Sequence, residues 1–147
     1  MGLVRLTYAS RLRPDLGPDD LWDILKTSRV HNSETFVTGM LCYDADSFLQ
    51  CLEGERDRVN ALYRTIIADD RHSDVTLLEY GEIEHRIFGQ WAMAYLRPEA
   101  MTEQLVLEFG EGTVFDPFKM TASQALGFIE AVARDQESSL DGEPDRS

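Results

Sequence analysis

One glutamine sits where a strand pattern calls for an apolar side chain. Residues 47–54 read Ser-Phe-Leu-Gln-Cys-Leu-Glu-Gly, and strand alternation places Phe48, Gln50 and Leu52 on one face and Glu53 on the other. An amide left unpaired in a core costs about 1–3 kcal/mol, so Gln50 needs a polar partner. Neighbouring backbone would provide one in an ordinary core, and a ligand would provide one in a binding site.

Other polar and aromatic residues are predicted near Gln50. They are Tyr8 on the first strand, Ser28 and Asn32 at the end of the first helix, and Arg71 after the second helix. Taken singly, Tyr8 fits a core aromatic, Asn32 a helix C-cap and Arg71 a solvated charge. Taken together, they place a phenol, two amides and a guanidinium around one region, which suits hydrogen bonding to a planar polar molecule.

The elements that position these residues follow from periodicity. Alternating or β-rich runs predict strands at 3–8, 36–43, 47–54, 75–83 and 91–96, with Trp91 and Met93 on one face of the last. Pro18 and a 3.6-residue apolar spacing predict a helix over 18–30, followed by a polar segment 31–35. A second helix is predicted from Glu55 to about Asp69, and a loop over 11–17.

This order of elements predicts an α+β, ferredoxin-like fold (βαββαβ plus an additional strand). The sheet is expected to be five-stranded and mixed, with the first and third strands adjacent at its centre and two helices on one face. Tyr8 and Gln50 then lie side by side and face the helices. A slot between the helices, walled by Ile24 and Ile66, suits a flat heterocycle whose carbonyls Asn32 and Arg71 could bond.

The C-terminal third changes character after residue 97. A short helix is predicted over 101–109, a loop over 110–117, and a capping box Thr121–Gln124 that opens a helix through Arg134. Its apolar stripe of Leu126, Ile129 and Val132 would pack on the sheet or dock a partner. We therefore expect three regions: a domain 1–97 that contains the polar cluster, a helical extension 98–134, and an acidic disordered tail 135–147.

Composition narrows the function classes. The formal net charge of −13 argues against non-specific binding to nucleic acid or to anionic membranes. Cys42 and Cys51 lack metal-ligand spacing, and no metal site is expected. No apolar run approaches the length of a membrane span, and the start of the chain has no secretory leader, so we expect a cytoplasmic protein with two reduced thiols.

Five short motifs together resemble one known family. They are Tyr8-x-Ser10, Asn32, Phe48-x-Gln50-x-Leu52-Glu53-Gly54, Asp69-x-Arg71-His72 and Trp91-x-Met93. In this order and spacing, over roughly residues 1–97, the chain resembles a BLUF domain of the short, single-domain type. BLUF domains are blue-light photoreceptors that use FAD.

The resemblance implies non-covalent FAD with its isoalloxazine ring between the two helices. It implies that Asn32 bonds the polar edge of the ring, that Arg71 bonds a ring carbonyl and that Gln50 lies between Tyr8 and the flavin. The cofactor-binding residues that it implies are Ile24, Ser28, His31, Asn32, Phe48, Gln50, Ile66, Arg71 and His72. His31 stands where many relatives have asparagine.

The resemblance also implies a mechanism without substrate turnover, so no enzymatic activity is expected. In that mechanism Tyr8 gives an electron and then a proton through Gln50 to the photoexcited flavin. Gln50 then rotates or tautomerises, and its stronger bond to the C4 carbonyl gives a reversible red-shifted signalling state. The resemblance places Ser28 and either Met93 or Trp91 beside Gln50. It makes residues 1–97 a flavin-binding photosensory domain, in which Trp91 and Met93 relay the signal to a separate effector protein, while the extension 98–134 packs on the sheet or relays the signal. Self-association into a homo-oligomer is also expected.

Two other function classes share the predicted fold. An acylphosphatase-like hydrolase would need an arginine and an asparagine aimed at a phosphate, but Arg71 and Asn32 lie at helix ends and no glycine-rich anion loop precedes a helix. A flavin-free adaptor would keep the fold and purify colourless. The joint presence of Tyr8, Gln50, Asn32 and Arg71 argues against the adaptor.

Overall fold

The computed structural model describes residues 2–44, 46–96 and 102–135. The elements are β1 Leu3–Leu12, α1 Pro18–Thr35, β2 Thr38–Asp44, β3 Ser47–Glu55, α2 Arg56–Ala68, β4 His72–Ile83, β5 Ala94–Leu96, α3 Glu103–Phe109, a 3-10 helix Pro117–Lys119 and α4 Ala122–Asp135. The predicted boundary at residues 97–98 and the predicted tail beyond Asp135 lie outside the described residues, so the division into three regions stays a prediction.

The five strands form one mixed sheet in the order β4-β1-β3-β2-β5. β1 is antiparallel to both β3 and β4, and β5 is parallel to β2. This is the predicted ferredoxin-like arrangement with an added strand. In the β1–β3 register Tyr8 is opposite Gln50, which confirms that the two residues are neighbours at the centre of the sheet.

α1 is longer than the sequence pattern predicts. We expected a helix to about Val30 with a polar segment after it, but the helix continues to Thr35. No glycine or proline interrupts residues 31–35, and the helix ends at Phe36, whose φ of 58° is left-handed and whose successor Val37 donates its N–H to the Asn32 carbonyl at 3.0 Å. Asn32 is therefore held by helix geometry, one turn beyond Ser28 on the same face.

β1 and β4 are also longer than predicted, because they pair with each other at their ends. Leu12 pairs with His72 and Arg11 with Ser73, so the predicted loop over 11–17 starts only at Arg13 and β4 starts three residues before the predicted Val75. This extension places His72 on a strand beside the end of β1.

The fifth strand is shorter than predicted, and its shortness corrects the expected placement of Trp91 and Met93. β5 begins at Ala94, so strand alternation does not govern residues 91–93. Met93 is buried in the core under α1 and α2, whereas Trp91 packs against the core on the opposite face of the sheet. The two side chains do not share a face.

Each face of the sheet carries its own apolar core. α1 and α2 cover the face that includes Tyr8 and Gln50, as predicted. α4 packs on the other face, where Phe128, Ile129 and Val132 are fully buried. The predicted capping box is present: the Thr121 N–H donates to Gln124 Oε1 at 2.9 Å, and the Gln124 N–H donates to Thr121 Oγ1 at 3.1 Å.

Within the described ranges, no helix combines the length and the apolar character needed to cross a lipid bilayer.

Candidate cofactor site between the two helices

A cavity of about 170 Å³ lies between α1 and α2, above the centre of the sheet. Its floor is formed by Tyr8 and Gln50, which are 1% and 6% exposed. Ile24 and Ile66 face it from the two helices. The volume is below the roughly 300–1,000 Å³ of most small-molecule pockets, so it suits a ring system and not a whole dinucleotide.

Helical spacing explains which residues line the cavity. From α1 the lining residues are Ile24, Thr27, Ser28, His31 and Asn32. From α2 and the two residues after its end that face the cavity they are Leu62, Thr65, Ile66, Asp69 and Arg71, and from the start of β4 it is His72. Steps of three and four residues keep a helix face turned to one side. The structure thus brings together eight of the nine predicted cofactor-binding residues, plus Tyr8.

A chain of hydrogen bonds crosses the floor of the cavity. Tyr8 Oη donates to Gln50 Oε1, and Gln50 Nε2 donates to Met93 Sδ at 3.3 Å. The glutamine amide is therefore satisfied by a phenol on one side and by a thioether on the other. Met93, and not Trp91, is the residue beside Gln50.

Burial controls the protonation of Tyr8. Desolvation raises the pKa of this phenol far above its ordinary value, with smaller contributions from Tyr63, whose ring centroid lies 5.8 Å away, and from Asp69. The phenol is therefore a hydrogen-bond donor at any ordinary pH. Oxidation makes a phenol strongly acidic, so loss of an electron from the ring would release this proton.

Asn32 provides the test of whether a flavin ring fits this cavity. The residue is fully buried, and its Nδ2 donates to the Ala92 carbonyl at 2.7 Å. Its Oδ1 is buried and has no hydrogen-bond partner within the described part of the chain. A buried acceptor normally finds a donor, and the N–H between the two ring carbonyls of a flavin is such a donor. The residues present fit the group.

A charged rim lies where α2 ends. Arg71 donates from Nε and Nη2 to both carboxylate oxygens of Asp69, at 2.7–3.1 Å, and this bonding lowers the pKa of Asp69 below its ordinary value. A guanidinium has five N–H donors, so Arg71 retains donors for a ligand carbonyl. The opposite charges of this pair largely cancel each other.

His72 closes the end of the cavity next to β1. Burial lowers its pKa, an effect that nearby Asp69 partly opposes and Arg71 reinforces. Its Nδ1 lies 3.0 Å from Ser10 Oγ, and its ring centroid lies 5.0 Å from that of Phe48. A neutral imidazole held in this way can offer its other nitrogen to a ligand.

Phe48 is the predicted cofactor-binding residue that does not line the cavity. It is two residues before Gln50 on the same face, about 7 Å further along the strand, and it pairs with Ser10 at the end of the sheet. Its ring contacts His72 and Tyr43. Phe48 therefore supports His72 from behind.

Four lining residues were not predicted: Thr27, Leu62, Thr65 and Asp69. Helical spacing could have identified Thr27 and Leu62, because Thr27 is three residues after Ile24 and Leu62 is four residues before Ile66. Thr65 is adjacent to Ile66 and three residues after Leu62, so it could be identified only once Leu62 was. Asp69 belongs to the Asp69-x-Arg71-His72 motif, and its pairing with Arg71 could have been inferred from the opposite charges.

Among the described residues, no group of three or more potential ligands is arranged to hold a metal ion.

Comparison with known proteins agrees with this geometry. Residues 3–94 match the family described as BLUF, sensors of blue light using FAD. The chain is 32% identical over 108 residues to the photoactivated adenylate cyclase subunit beta of Euglena gracilis, covering 73% of this chain and 12% of the relative. It is 30% identical over 130 residues to the blue light- and temperature-regulated antirepressor BluF of Escherichia coli K12, covering 86% of this chain and 32% of the relative.

Solved structures show the same fold. The photo-activated state of BlsA superposes with a TM-score of 0.80 at 33% identity, covering 88% of this chain and 94% of that one. The chain thus spans about an eighth to a third of the curated relatives named above, but nearly all of BlsA. Since the family match covers well over half of the residues, the chain belongs to the BLUF family, the blue-light sensors that use FAD.

Proposed function

We propose that Tyr8 and Gln50 are the photochemical pair of this sensor and that its signal passes to a separate effector protein. The observation that carries the proposal is the hydrogen bond from Tyr8 Oη to Gln50 Oε1 on the floor of the cavity. Both side chains are buried, on paired strands. The Gln50 amide thus connects the phenol to the cavity face against which a planar ring would lie.

Three groups of residues would hold FAD in this cavity. Ile24 and Ile66 would flank the ring, Asn32 Oδ1 would accept its N–H, and Arg71 and His72 would face its remaining polar edge. The small cavity volume leaves the adenosine part outside, past the exposed Thr27, His31 and Thr65 at the mouth. When bound, FAD supplies the blue-light absorption and an electron acceptor of high potential.

Tyr8 is the electron and proton donor in this proposal. The phenol keeps its proton in the dark because burial raises its pKa. With bound FAD as the electron acceptor, Tyr8 would lose an electron, and its proton would leave Oη along the hydrogen bond to Gln50 Oε1. The amide would give up a proton from Nε2 in exchange, which leaves Gln50 uncharged in its imidic form. When the electron and the proton return to Tyr8, no bond in the protein has been lost, so the cycle is reversible.

In this proposal the orientation or tautomer of the Gln50 amide distinguishes the lit state from the dark state. In the structure its oxygen faces Tyr8 and its nitrogen faces Met93. Rotation of the amide, or its imidic tautomer, exchanges a donor for an acceptor at both positions. The assignment of oxygen and nitrogen in an amide follows from its hydrogen bonds, and in this site a phenol that can only be protonated favours the orientation with oxygen towards Tyr8.

The output is proposed to be a protein contact. Residues 91–93 link Gln50 to β5 and to the α4 face of the sheet, so Met93 and Trp91 are the proposed relay. We propose a cytoplasmic protein that forms a homo-oligomer and acts on a separate partner, without turnover of a substrate by the BLUF domain. This proposal is supported by relatives named as an adenylate cyclase subunit and as an antirepressor, of which the matched part is 12% and 32%.

An absorption spectrum of the purified protein, in darkness and after blue light, tests the proposal. We expect a flavin spectrum that shifts slightly to the red and relaxes in the dark. A flavin spectrum that bleaches or does not change would mean that the protein binds flavin but lacks the proposed reversible light-induced change. A protein that stays colourless after FAD is added would leave the flavin-free adaptor as the alternative.

A further inference from the structure

We infer that Glu53 is a positioning residue that fixes the segment 87–93 and, through it, places the Met93 sulfur against Gln50. This inference rests on the proposed photochemical role of Gln50. Glu53 is on β3, three residues after Gln50, and therefore on the opposite face of the sheet. Its side chain is fully buried, away from the cofactor cavity.

The Glu53 carboxylate is bonded on both oxygens. Oε2 accepts from Arg5 Nε at 3.0 Å and Nη2 at 2.9 Å, and it also accepts the Ile87 N–H at 3.0 Å. Oε1 accepts the Phe88 N–H at 2.8 Å. The cation balances the buried charge, and the two backbone N–H groups come from the connection between β4 and β5.

A carboxylate is required for this arrangement because both of its oxygens accept. Glutamine in its place would have one acceptor, and its amide nitrogen would face an N–H group as donor to donor. At least one of the two backbone N–H groups would then lose its partner, and of the two residues Phe88 is buried. Glu53 therefore fastens the connection to the sheet, where Arg5, its direct partner in the β1–β3 register, lies alongside.

Hydrogen bonds along the segment connect the position of residues 87–88 to the position of Met93. The Trp91 N–H donates to the Phe88 carbonyl at 3.3 Å. The next three carbonyls are each bonded from a different place: Trp91 O by the Gly39 N–H at 3.1 Å, Ala92 O by Asn32 Nδ2 at 2.7 Å, and Met93 O by Arg29 Nε at 3.0 Å. Each carbonyl of residues 91–93 is thus held by one hydrogen bond, and Glu53 holds the start of the segment at residues 87 and 88.

The consequence for function lies at the Met93 sulfur. Sδ accepts from Gln50 Nε2, and this contact exists only while the amide nitrogen faces Met93. A displaced segment weakens that contact and changes the balance between the two amide orientations. Glu53 then influences the photocycle without contacting the cofactor cavity.

The test compares Glu53→Gln with Glu82→Gln in the FAD-loaded protein. Glu82 is a matched control, since it is also a strand glutamate paired with an arginine, Arg56, but its side chain is 75% exposed. We expect Glu53→Gln to speed hydrogen exchange of the Ile87 and Phe88 amides about tenfold and to change the dark-recovery rate about threefold, the size of one weak hydrogen bond. Glu82→Gln should change neither.

A double-mutant cycle separates positioning from general destabilisation. If Glu53 acts through Met93, Glu53→Gln should not change the recovery rate further in a Met93→Ala background. Should the two effects on recovery multiply independently, or should the exchange of Ile87 and Phe88 stay at the wild-type rate, the inference is overturned. If Glu53→Gln does not fold, Arg5→Met/Glu53→Gln removes the unpaired buried guanidinium and is subject to the same criteria.

The proposed function and this inference fail in different ways. A wild-type protein without any light-induced shift would reject the photochemical role of Gln50. Hydrogen exchange at Ile87 and Phe88 in the dark would still report whether Glu53 holds the segment. A normal wild-type photocycle combined with independent effects of Glu53 and Met93 would reject the positioning role alone.

Discussion

Replacement of Asn32 by alanine tests how this site holds its cofactor. Asn32 performs two separable tasks, since Nδ2 is bonded to the Ala92 carbonyl while Oδ1 lacks a partner within the described residues. The donor bond stabilises the protein itself, and the acceptor is available to a ligand. Alanine removes both groups at once, but two different measurements report on them.

The structure sets the expected magnitudes. Loss of the Nδ2 bond leaves the carbonyl of half-buried Ala92 without this donor, which should lower the stability of the apoprotein by about 1–2 kcal/mol. Loss of Oδ1 leaves the N–H of a bound ring facing an apolar wall, which should cost about 1–2 kcal/mol of binding. The second figure corresponds to a rise in the Kd for FAD of roughly five- to thirtyfold.

The assay is a titration of apoprotein with FAD, monitored by flavin fluorescence, together with denaturant unfolding of the apoprotein. Ser33→Ala is the matched control, because Ser33 is the adjacent residue of α1 and is exposed. The flavin-to-protein ratio after purification should fall for Asn32→Ala and not for Ser33→Ala. A loss of stability with an unchanged Kd would refute the reasoning, since Asn32 would then only tie α1 to Ala92.

Three further changes test the floor and the end of the cavity. Tyr8→Phe should retain FAD but abolish the light-induced red shift, because the donor to Gln50 Oε1 is gone; an unchanged shift would remove Tyr8 from its proposed role. Gln50→Leu should also retain the flavin absorption without the normal shift, and a wild-type photocycle in that variant would contradict the amide mechanism. The stability of the wild type should fall as the pH drops below the ordinary value of 6.5 for histidine, because burial lowers the pKa of His72 in the folded state and the unfolded chain binds that proton first. His72→Gln should reduce this slope by up to about 1.4 kcal/mol per pH unit in denaturant unfolding curves measured between pH 7 and pH 5, and an unchanged slope would exclude His72 as its source.

The sequence was sufficient to predict the topology and the pairing of Tyr8 with Gln50. Two local signals combine in that result: alternation with period two fixes which side chains share a face, and the order of strands and helices limits which strands can be neighbours. Ile24, Ser28 and Ile66 were likewise accessible, because helical spacing places them on the apolar face of each helix. These features depend on regular elements, whose geometry repeats.

The connection between β4 and β5 could not be predicted in the same way. Trp91 and Met93 follow the alternation of a strand in the sequence, but the residues that bond this segment are Glu53, Gly39, Asn32 and Arg29, each distant in the chain. Contacts between a side chain and a remote backbone carbonyl have no period that a sequence displays. The end of α1 was missed for a related reason, since polar residues in an exposed final turn leave no apolar spacing to detect.

The paired strands β1 and β3 carry a hydrogen-bonded pair of polar side chains on each face of the sheet. This arrangement limits how a signal can leave the site. On one face Tyr8 and Gln50 form the hydrogen-bonded pair, and on the other Arg5 and Glu53 hold the connection that ends in Met93. A change at Gln50 Nε2 acts directly on Met93 Sδ. The Trp91 ring lies against the opposite core, and its covalent connection to Met93 is the two peptide units between them. A relay through Trp91 therefore requires movement of the backbone at residues 91–93, whereas a relay through Met93 requires only a change of its own side chain.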